Sequence, residues 1–315
     1  MNQIMSYSKK IEEFIKVKLE TISSDSTIAR LVLNNFTELN KTHNAVRKKV
    51  SDIRNNRELE RSREPIKRLF FDIETTYQLA RVWRTGKQYI SGDQIFQETR
   101  IICVSYKWQY EDKVHTLKWN SRQDDSKLVE DFIKILGEAD ECIAHNGDRF
   151  DIKQIRTRAI KQGKLMYPNY RTLDTLKKSR KYFSFNSNKL DYLGKFLGVG
   201  EKLDHEGFSL WVKIQEDKDE DALKRMIAYC EQDVILLEDV FHVLNPYIDH
   251  NTNYAVLKGG KKWQCPNCGS SNVKMHRTDT TAMGWVRRFM RCGDCKKDYK
   301  ISNKSYLNFL SDYSK

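Results

Sequence analysis

The stretch RLFFDIETTY, residues 68–77, decides the fold. Its apolar residues predict a buried strand, whose side chains point alternately to its two faces. The apolar side chains of one face are Leu69, Phe71 and Ile73. Asp72 and Glu74 lie side by side on the other face, where two anions repel each other and are costly to bury without a partner. We therefore expect a positively charged group beside this strand.

Length and composition restrict the class of protein. The chain has 315 residues, 39% of them hydrophobic, which suffices for one sizeable core and smaller modules. Its apolar runs fall short of the roughly 20 residues of a membrane span. The N-terminus MNQIMSYSKK has no apolar segment typical of a secretory signal. We therefore expect a cytoplasmic protein without a membrane partner.

Positive charge is concentrated at the two ends of the chain. The net charge is +13 overall, and it is +6 for residues 1–68, −2 for residues 69–257 and +9 for residues 258–315. A near-neutral body with basic flanks is typical of a catalytic domain held on a polyanion by its ends. A lysine-rich solvated surface is the alternative interpretation.

The hydrophobic pattern divides the chain into three predicted domains. Residues 1–64 have the pattern of short helices, the last with basic side chains opposite its apolar face. A helix-turn-helix that binds nucleic acid and a small bundle that only packs are both consistent with this pattern. Residues 65–257 alternate strands and helices, which predicts an α/β sheet with helices on both faces. Residues 258–315 are basic and contain two cysteine pairs.

Three motifs bring four acids into the α/β domain. Besides Asp72 and Glu74, the stretch AHNGDRFD places Asp151 at the start of a predicted helix. In AYCEQDV, Tyr229 and Asp233 are four residues apart and share a helical face. Carboxylate oxygens are the ligands that Mg²⁺ and Mn²⁺ prefer. The four acids therefore predict a site for one of these metals.

The order D-x-E, N-x-x-x-F-D and Y-x-x-x-D resembles the DEDD exonucleases of the ribonuclease H-like superfamily. A histidine five residues before the last acid would mark one branch; Ala228 stands there, so the pattern is that of the tyrosine (DEDDy) branch. The chain is similar over residues 67–247 to the proofreading domains of family B DNA polymerases and to stand-alone phage and bacterial relatives. This resemblance implies a ribonuclease H-like mixed sheet flanked by helices. The Lys/Asn-rich, Pro-poor composition is compatible with a bacterial or phage-infected host cell.

The resemblance also implies a chemistry. Two metal ions, Mg²⁺ or Mn²⁺, would be held by Asp72, Glu74, Asp151 and Asp233, and Tyr229 would orient the attacking water. The expected reaction is hydrolysis of phosphodiester bonds at the 3′ ends of nucleic acid, with release of nucleoside 5′-monophosphates. DNA is the favoured substrate, and RNA is the alternative.

Further residues are candidates for contacts with the substrate. Thr75 and Asn146 lie where proteins of this family touch the terminal nucleotide, and Phe150 is a candidate for stacking on a base. Lys189 and Lys202 are alternative candidates for a phosphate contact. Two neighbouring acids outside the motifs are interpreted as helix or turn caps, namely Asp174 and Asp191.

The second group of candidate ligands consists of cysteines. CPNC and CGDC are separated by 23 residues, and in a chain without a secretory signal this spacing predicts metal rather than disulfides. The four predicted ligands are Cys265, Cys268, Cys292 and Cys295. The pattern resembles a zinc ribbon with one structural Zn²⁺, whose binding would supply folding energy. Between the pairs, GWVRRFMR interleaves aromatic residues with Arg287 and Arg288, which favours contact with nucleic acid over a merely solvated basic face.

Two functions of different classes are consistent with these motifs. The first is a metal-dependent 3′–5′ exonuclease; with no polymerase body in the 315 residues, a proofreading role would need a replication or repair protein as partner. The alternative is a nucleic-acid-binding or recruitment protein whose nuclease is weak or acts only within a complex. The five intact signature positions favour the enzyme.

Overall fold

A computed structural model describes residues 7–22, 24–63, 66–109, 111–204 and 206–313, with the backbone alone for residues 55–63. The chain divides into two compact units. One contains residues 66–252 and 295–299, and the other contains the rest of the described chain. The boundary expected between residues 64 and 65 lies outside the described residues. None of the helices in the described ranges has the length and apolar character of a membrane span.

The N-terminal helices share a small hydrophobic core. These helices are α1 (Lys9–Lys18), α2 (Asp25–Asn35) and α3 (His43–Arg63). The apolar face that the sequence predicts for the last helix is buried in this core. Two of its basic side chains are paired within the helices, since Lys49 lies 2.6 Å from Glu12 and Arg54 lies 2.8 Å from Asp25. These two cations therefore take part in holding the helices together.

A mixed five-stranded sheet forms the centre of the larger unit. The described residues between 66 and 252 contain seven strands, five of which form the sheet. The seven are β1 (Arg68–Thr75), β2 (Leu79–Ala80), β3 (Ile95–Gln97), β4 (Ile101–Trp108), β5 (His115–Lys118), β6 (Glu141–Ala144) and β7 (Thr172–Asp174). The order in the sheet is β5-β4-β1-β6-β7, and β2 and β3 pair separately as a hairpin. β1 is antiparallel to β4 and parallel to β6. The strand that carries Asp72 and Glu74 is therefore the central one.

Helices pack on both faces of this sheet, as the alternating pattern predicts. They are α4 (Ser126–Glu138), α5 (Asp151–Lys161), α6 (Thr175–Tyr182), α7 (Leu190–Leu197), α8 (Phe208–Gln215) and α9 (Glu220–Leu244). Leu69, Phe71 and Ile73 pack against α4 and α5. Phe70, on the opposite face, packs against α7 and α9. The predicted α/β architecture is confirmed, and the acids of β1 lie on the face that α9 covers.

The C-terminal region contains a second, three-stranded sheet. Its elements are α10 (Tyr254–Leu257), β8 (Val273–Thr280), β9 (Val286–Cys292), β10 (Asp298–Ser302) and α11 (Asn303–Tyr313). The strand order is β10-β9-β8, and β8 is antiparallel to β9. The indole N–H of Trp263 donates to Asp312 at 2.8 Å, and its ring lies 5.4 Å from that of Phe309. These contacts anchor α11 to the segment that precedes the first cysteine pair.

Candidate active site

Three carboxylates converge on one side of the central strand. Asp72 and Glu74 project from β1, and Asp233 faces them from the middle of α9. One carboxylate oxygen of each lies within 4.8 Å of those of the other two. Asp233 is buried, whereas Asp72 and Glu74 keep part of their surface open to solvent. The first and last motifs of the sequence therefore meet in space.

The fourth predicted acid, Asp151, lies beside this group. It is the first residue of α5, as predicted, and it is buried. Its charge adds to the repulsion that raises the pKa of Asp72, although it lies outside the set of three whose oxygens approach within 4.8 Å. Burial raises the pKa of Asp151 to about 7, and backbone hydrogen bonds from Asp151 and Ile73 oppose this rise. The structure thus brings three acids together and places the fourth next to Asp72.

A tight turn before α5 fixes the position of Asp151. Asn146 adopts a left-handed conformation with φ of 73°, and a Cβ on Gly147 would lie 2.4 Å from the Cβ of Ala144, so only glycine fits there. Asp174 accepts a hydrogen bond from the Asn146 amide at 3.0 Å. The same carboxylate accepts from the first amides of α6, which confirms its interpretation as a cap. One side chain therefore anchors both the turn and the helix.

Lys202 is the positively charged group beside the acids of β1. Its ammonium group donates a hydrogen bond to Asp233, and another at 2.9 Å to the hydroxyl of Tyr229. The backbone amide of Lys202 donates to Asp191 at 3.1 Å, so Asp191 caps this turn as predicted. Tyr229 and Asp233 share a face of α9, as their spacing predicts. Of the two lysine candidates, Lys202 reaches the acids.

The largely buried acids repel one another, and the positive charge beside them does not balance their negative charge. Burial is the largest cause that raises the pKa of Asp72 well above its usual range and that of Glu74 to about 8, and the neighbouring acids add to it. Burial alone would lower the pKa of Lys202, but Asp233 and Tyr229 outweigh it and raise the pKa above its ordinary value. One protonated lysine thus faces several acids. A set of oxygen donors with excess negative charge fits Mg²⁺ or Mn²⁺.

Two cavities lie next to the acids. The first has a volume of about 670 Å³, and its polar wall includes Asn146, Arg180, Lys189 and Lys202. The second has a volume of about 360 Å³ and is lined by Thr75, Thr76, Tyr77, Gly207, Phe208 and Trp211. Thr75 and Asn146 each border one of them. Phe150, the predicted stacking residue, is 38% exposed just before α5.

The four cysteines form a second cluster. Their sulfur atoms all lie within 4.8 Å of one another. Cys265 and Cys292 are buried, whereas Cys268 is exposed. Gly269 follows the first pair with φ of 74°, and its amide donates to the Cys265 carbonyl at 2.8 Å, which forms a tight turn. Four converging thiols are compatible with a tetrahedral zinc site.

The two arginines of β9 that the sequence predicts as contacts, Arg287 and Arg288, have different surroundings. Arg287 is exposed. Arg288 donates hydrogen bonds to Thr278 at 2.8 Å and to Asn303 at 3.1 Å, and its guanidinium group lies 4.7 Å from the centre of the Tyr306 ring. Arg288 is therefore engaged in packing β9 against its neighbours, while Arg287 is open to a ligand.

Comparisons with known proteins identify the α/β unit. A family model described as RNase_H superfamily matches residues 69–245, which is more than half of the chain. No curated protein sequence matches the chain. Among solved structures, the family B DNA polymerase from the hyperthermophilic archaeon Pyrobaculum calidifontis is similar, with a TM-score of 0.44 and 15% sequence identity. The match covers 58% of this chain and only 25% of the polymerase chain.

Proposed function

Because this chain belongs to the RNase_H superfamily, we propose that it is a metal-dependent 3′–5′ exonuclease that releases nucleoside 5′-monophosphates, with DNA as the favoured substrate. The observation that supports it best is the convergence of Asp72, Glu74 and Asp233. In this proposal residues 65–257 are the catalytic domain. Residues 1–64 and the zinc ribbon at 258–315 help to hold nucleic acid through their basic surfaces.

The acids would hold the divalent cations. Asp72, Glu74 and Asp233 offer three oxygen ligands within reach of one ion, and Asp151 extends the set for a second ion next to Asp72. Cations bound there would lower the pKa of a water molecule and stabilise negative charge on the phosphate. Because the pKa values of Asp72 and Glu74 are raised, these carboxylates would release protons as the ions bind.

Tyr229 is proposed to orient the attacking water. Burial raises the pKa of its hydroxyl, so the group keeps its proton near neutral pH. Its oxygen accepts a hydrogen bond from Lys202. A phenol hydroxyl that accepts a hydrogen bond can also donate one, and in this proposal it donates to a water or a phosphate oxygen. Lys202 also pairs with Asp233 and therefore fixes the positions of both side chains relative to each other.

The two cavities are proposed to hold the substrate, which gives roles to the other residues predicted to contact it. Arg180, Lys189 and Lys202 supply positive charge to the wall of the larger cavity, where phosphates of the substrate strand would lie. Thr75 and Asn146 would contact the terminal nucleotide from the two cavity rims, and Phe150 would stack on a base. In the ribbon, Arg287 is the better placed of the two predicted phosphate contacts, because Arg288 is engaged within the sheet.

End-labelled oligonucleotides test the direction and the substrate. With Mg²⁺ or Mn²⁺, a 3′-labelled single-stranded DNA should release labelled mononucleotide from the first time point, and a 5′-labelled one should shorten stepwise. A matched RNA compares the two polymers. Early internal fragments would instead show an endonuclease. Tight binding without any cleavage would favour the recruitment function.

Zinc content tests the cysteine cluster. The reduced protein should contain about one zinc per chain, since four thiolates complete a structural site. Cys292→Ser should lose this zinc, because one of four ligands is removed. Cys142→Ala removes a buried thiol outside the cluster and should leave the content unchanged. Metal analysis of freshly purified protein decides: a value near zero in the unmodified chain would rule out the Cys₄ site.

A further inference from the structure

A separate hairpin follows the central strand directly. Residues 79–97, here called the arm, contain β2, β3 and the loop between them. The Arg81 amide donates to the Gln94 carbonyl at 2.9 Å, and the Gln94 side chain accepts from the Ser91 amide at 2.9 Å. The first bond connects the two sides of the arm next to the paired strands, and the second holds the turn that leads into β3.

The arm presents large aromatic side chains to solvent. Trp83 is 99% exposed, Tyr89 is 88% exposed and Phe96 is 55% exposed. Single exposed apolar residues are ordinary, but several large rings on one short hairpin form an apolar surface of the kind that marks a binding site. None of these rings belongs to the sequence motifs discussed above.

Cations are interleaved with these rings. Arg81, Arg84 and Lys87 lie in the arm together with a single acid, Asp93. The guanidinium group of Arg81 lies 4.9 Å from the centre of the Phe96 ring. A ligand that satisfies both features must combine flat apolar faces with negative charge. Single-stranded nucleic acid does so, because its bases expose their faces and its backbone carries a phosphate at every step.

The base of the arm is fixed close to the acids. Arg100 and Thr76, which flank the arm, exchange two hydrogen bonds of 2.9 Å at the edge where β1 ends and β4 begins. Glu74, near the end of β1, lies two residues before Thr76 in the chain. If the end of a nucleic-acid strand lies at the acids, the nucleotides next to that end would therefore pass the arm.

We propose that the arm binds the single-stranded part of a nucleic-acid substrate by stacking Trp83 and Tyr89 on its bases, a few nucleotides from the end that is cut. Arg81, Arg84 and Lys87 contact the phosphates between them. The arm thus sets a preference for unpaired ends, since bases within a duplex have their faces covered by their neighbours. This inference rests on the proposed function for its substrate class.

Binding of a labelled oligodeoxythymidine to the full chain tests the arm. The protein carries Asp72→Asn, so that binding is measured without cleavage. Trp83→Ala with Tyr89→Ala should weaken binding about tenfold or more, the usual loss when base stacking is removed. Tyr167→Ala, which removes an aromatic side chain that is 67% exposed outside the arm, is the matched control and should bind normally.

An oligonucleotide with abasic sites distinguishes stacking from charge. The protein with an intact arm should bind it about tenfold more weakly than oligodeoxythymidine. The double variant should distinguish the two oligonucleotides clearly less, with only the contact proposed for Phe150 left to lose. Equal affinities of the intact and variant proteins for oligodeoxythymidine would overturn the proposal. A change in sedimentation without a change in DNA binding would also overturn it, and would assign the arm to a contact between copies.

The outcomes separate this proposal from the proposed enzyme. Loss of binding in the arm variant, together with no nucleotide release by the unmodified protein, would support the arm and contradict the nuclease. Normal nucleotide release together with unchanged binding by the arm variant would contradict the arm alone.

Discussion

Asp233→Asn should reduce metal-dependent nucleotide release by about 10²–10³-fold, a loss comparable to that caused by removing one preorganised group that stabilises a transition state. The amide has nearly the shape of the carboxylate but lacks its charge, so it would hold a divalent cation poorly. It would also leave Lys202 without the anion that fixes it. Initial rates on a 3′-labelled single strand, at saturating Mg²⁺ or Mn²⁺, measure this loss.

Asp221→Asn is the matched control for this substitution. Asp221 lies on the same helix, α9, but its side chain is 77% exposed and pairs only at the surface with Lys224. It should retain the full rate, because surface pairs contribute little. Equal rates for Asp233→Asn and the unmodified protein, with both folded by circular dichroism, would show that hydrolysis takes place elsewhere.

Stability of the metal-free protein should fall as pH rises from about 4.5 to about 8. The pKa of Glu74 is raised from its ordinary 4.5 to about 8 by burial and by Asp233, so the folded state binds protons that the unfolded state has already lost in this interval. A state that binds more protons is favoured at low pH and loses that advantage as pH rises through its own pKa. The loss should be on the order of 3 kcal/mol after allowance for solvent access.

Thermal unfolding in EDTA at several pH values measures this slope. Glu74→Gln removes one of the titrating acids and should make the slope shallower, while Asp72 and Asp151, whose pKa values are also raised, still contribute to it. Millimolar Mg²⁺ should restore stability more at pH 8 than at pH 5.5, because the ionised acids bind the cation and the protonated ones do not. A slope unchanged by Glu74→Gln, or an equal effect of Mg²⁺ at both values, would contradict a cation site at these acids.

Most of the correct predictions came from the periodic spacing of residues within a single strand or helix. The alternation along β1 assigns Leu69 and Phe71 to the core opposite Asp72, and the four-residue spacing on α9 places Tyr229 beside Asp233. Both rules act within one element and need no knowledge of the rest of the fold. Distances between elements do not follow from such rules, which is why the sequence could not place Asp151 just outside the set of three.

Residues in irregular segments escaped these rules. Lys202 follows α7 in an irregular segment, where the hydrogen bond of its amide to Asp191 and those of its ammonium group to Tyr229 and Asp233 fix its position. Arg287 and Arg288 look alike in the sequence, but neighbours from β8 and α11 engage only the second. The strand spacing of β9 alone cannot reveal this difference.

Aromatic residues beside the acids were also missed. Tyr77 and Phe208 have ring centres 4.9 Å apart, and the Trp211 indole donates to the Thr75 carbonyl at 3.0 Å. They come from segments more than a hundred residues apart, and no motif includes them. The aromatic ends of ETTY and FSLW were the only signals available in the sequence.

The double role of Asp174 creates a point of vulnerability outside the signature. Its carboxylate accepts from the amides of Asn146 and Asp148, at 3.0 and 3.4 Å, and also caps α6, which carries the Arg180 wall of the larger cavity. A substitution at this position would spare all five signature residues and yet loosen the turn before Asp151 together with that wall. A homologue judged active from its motifs alone could therefore be inactivated by this one change.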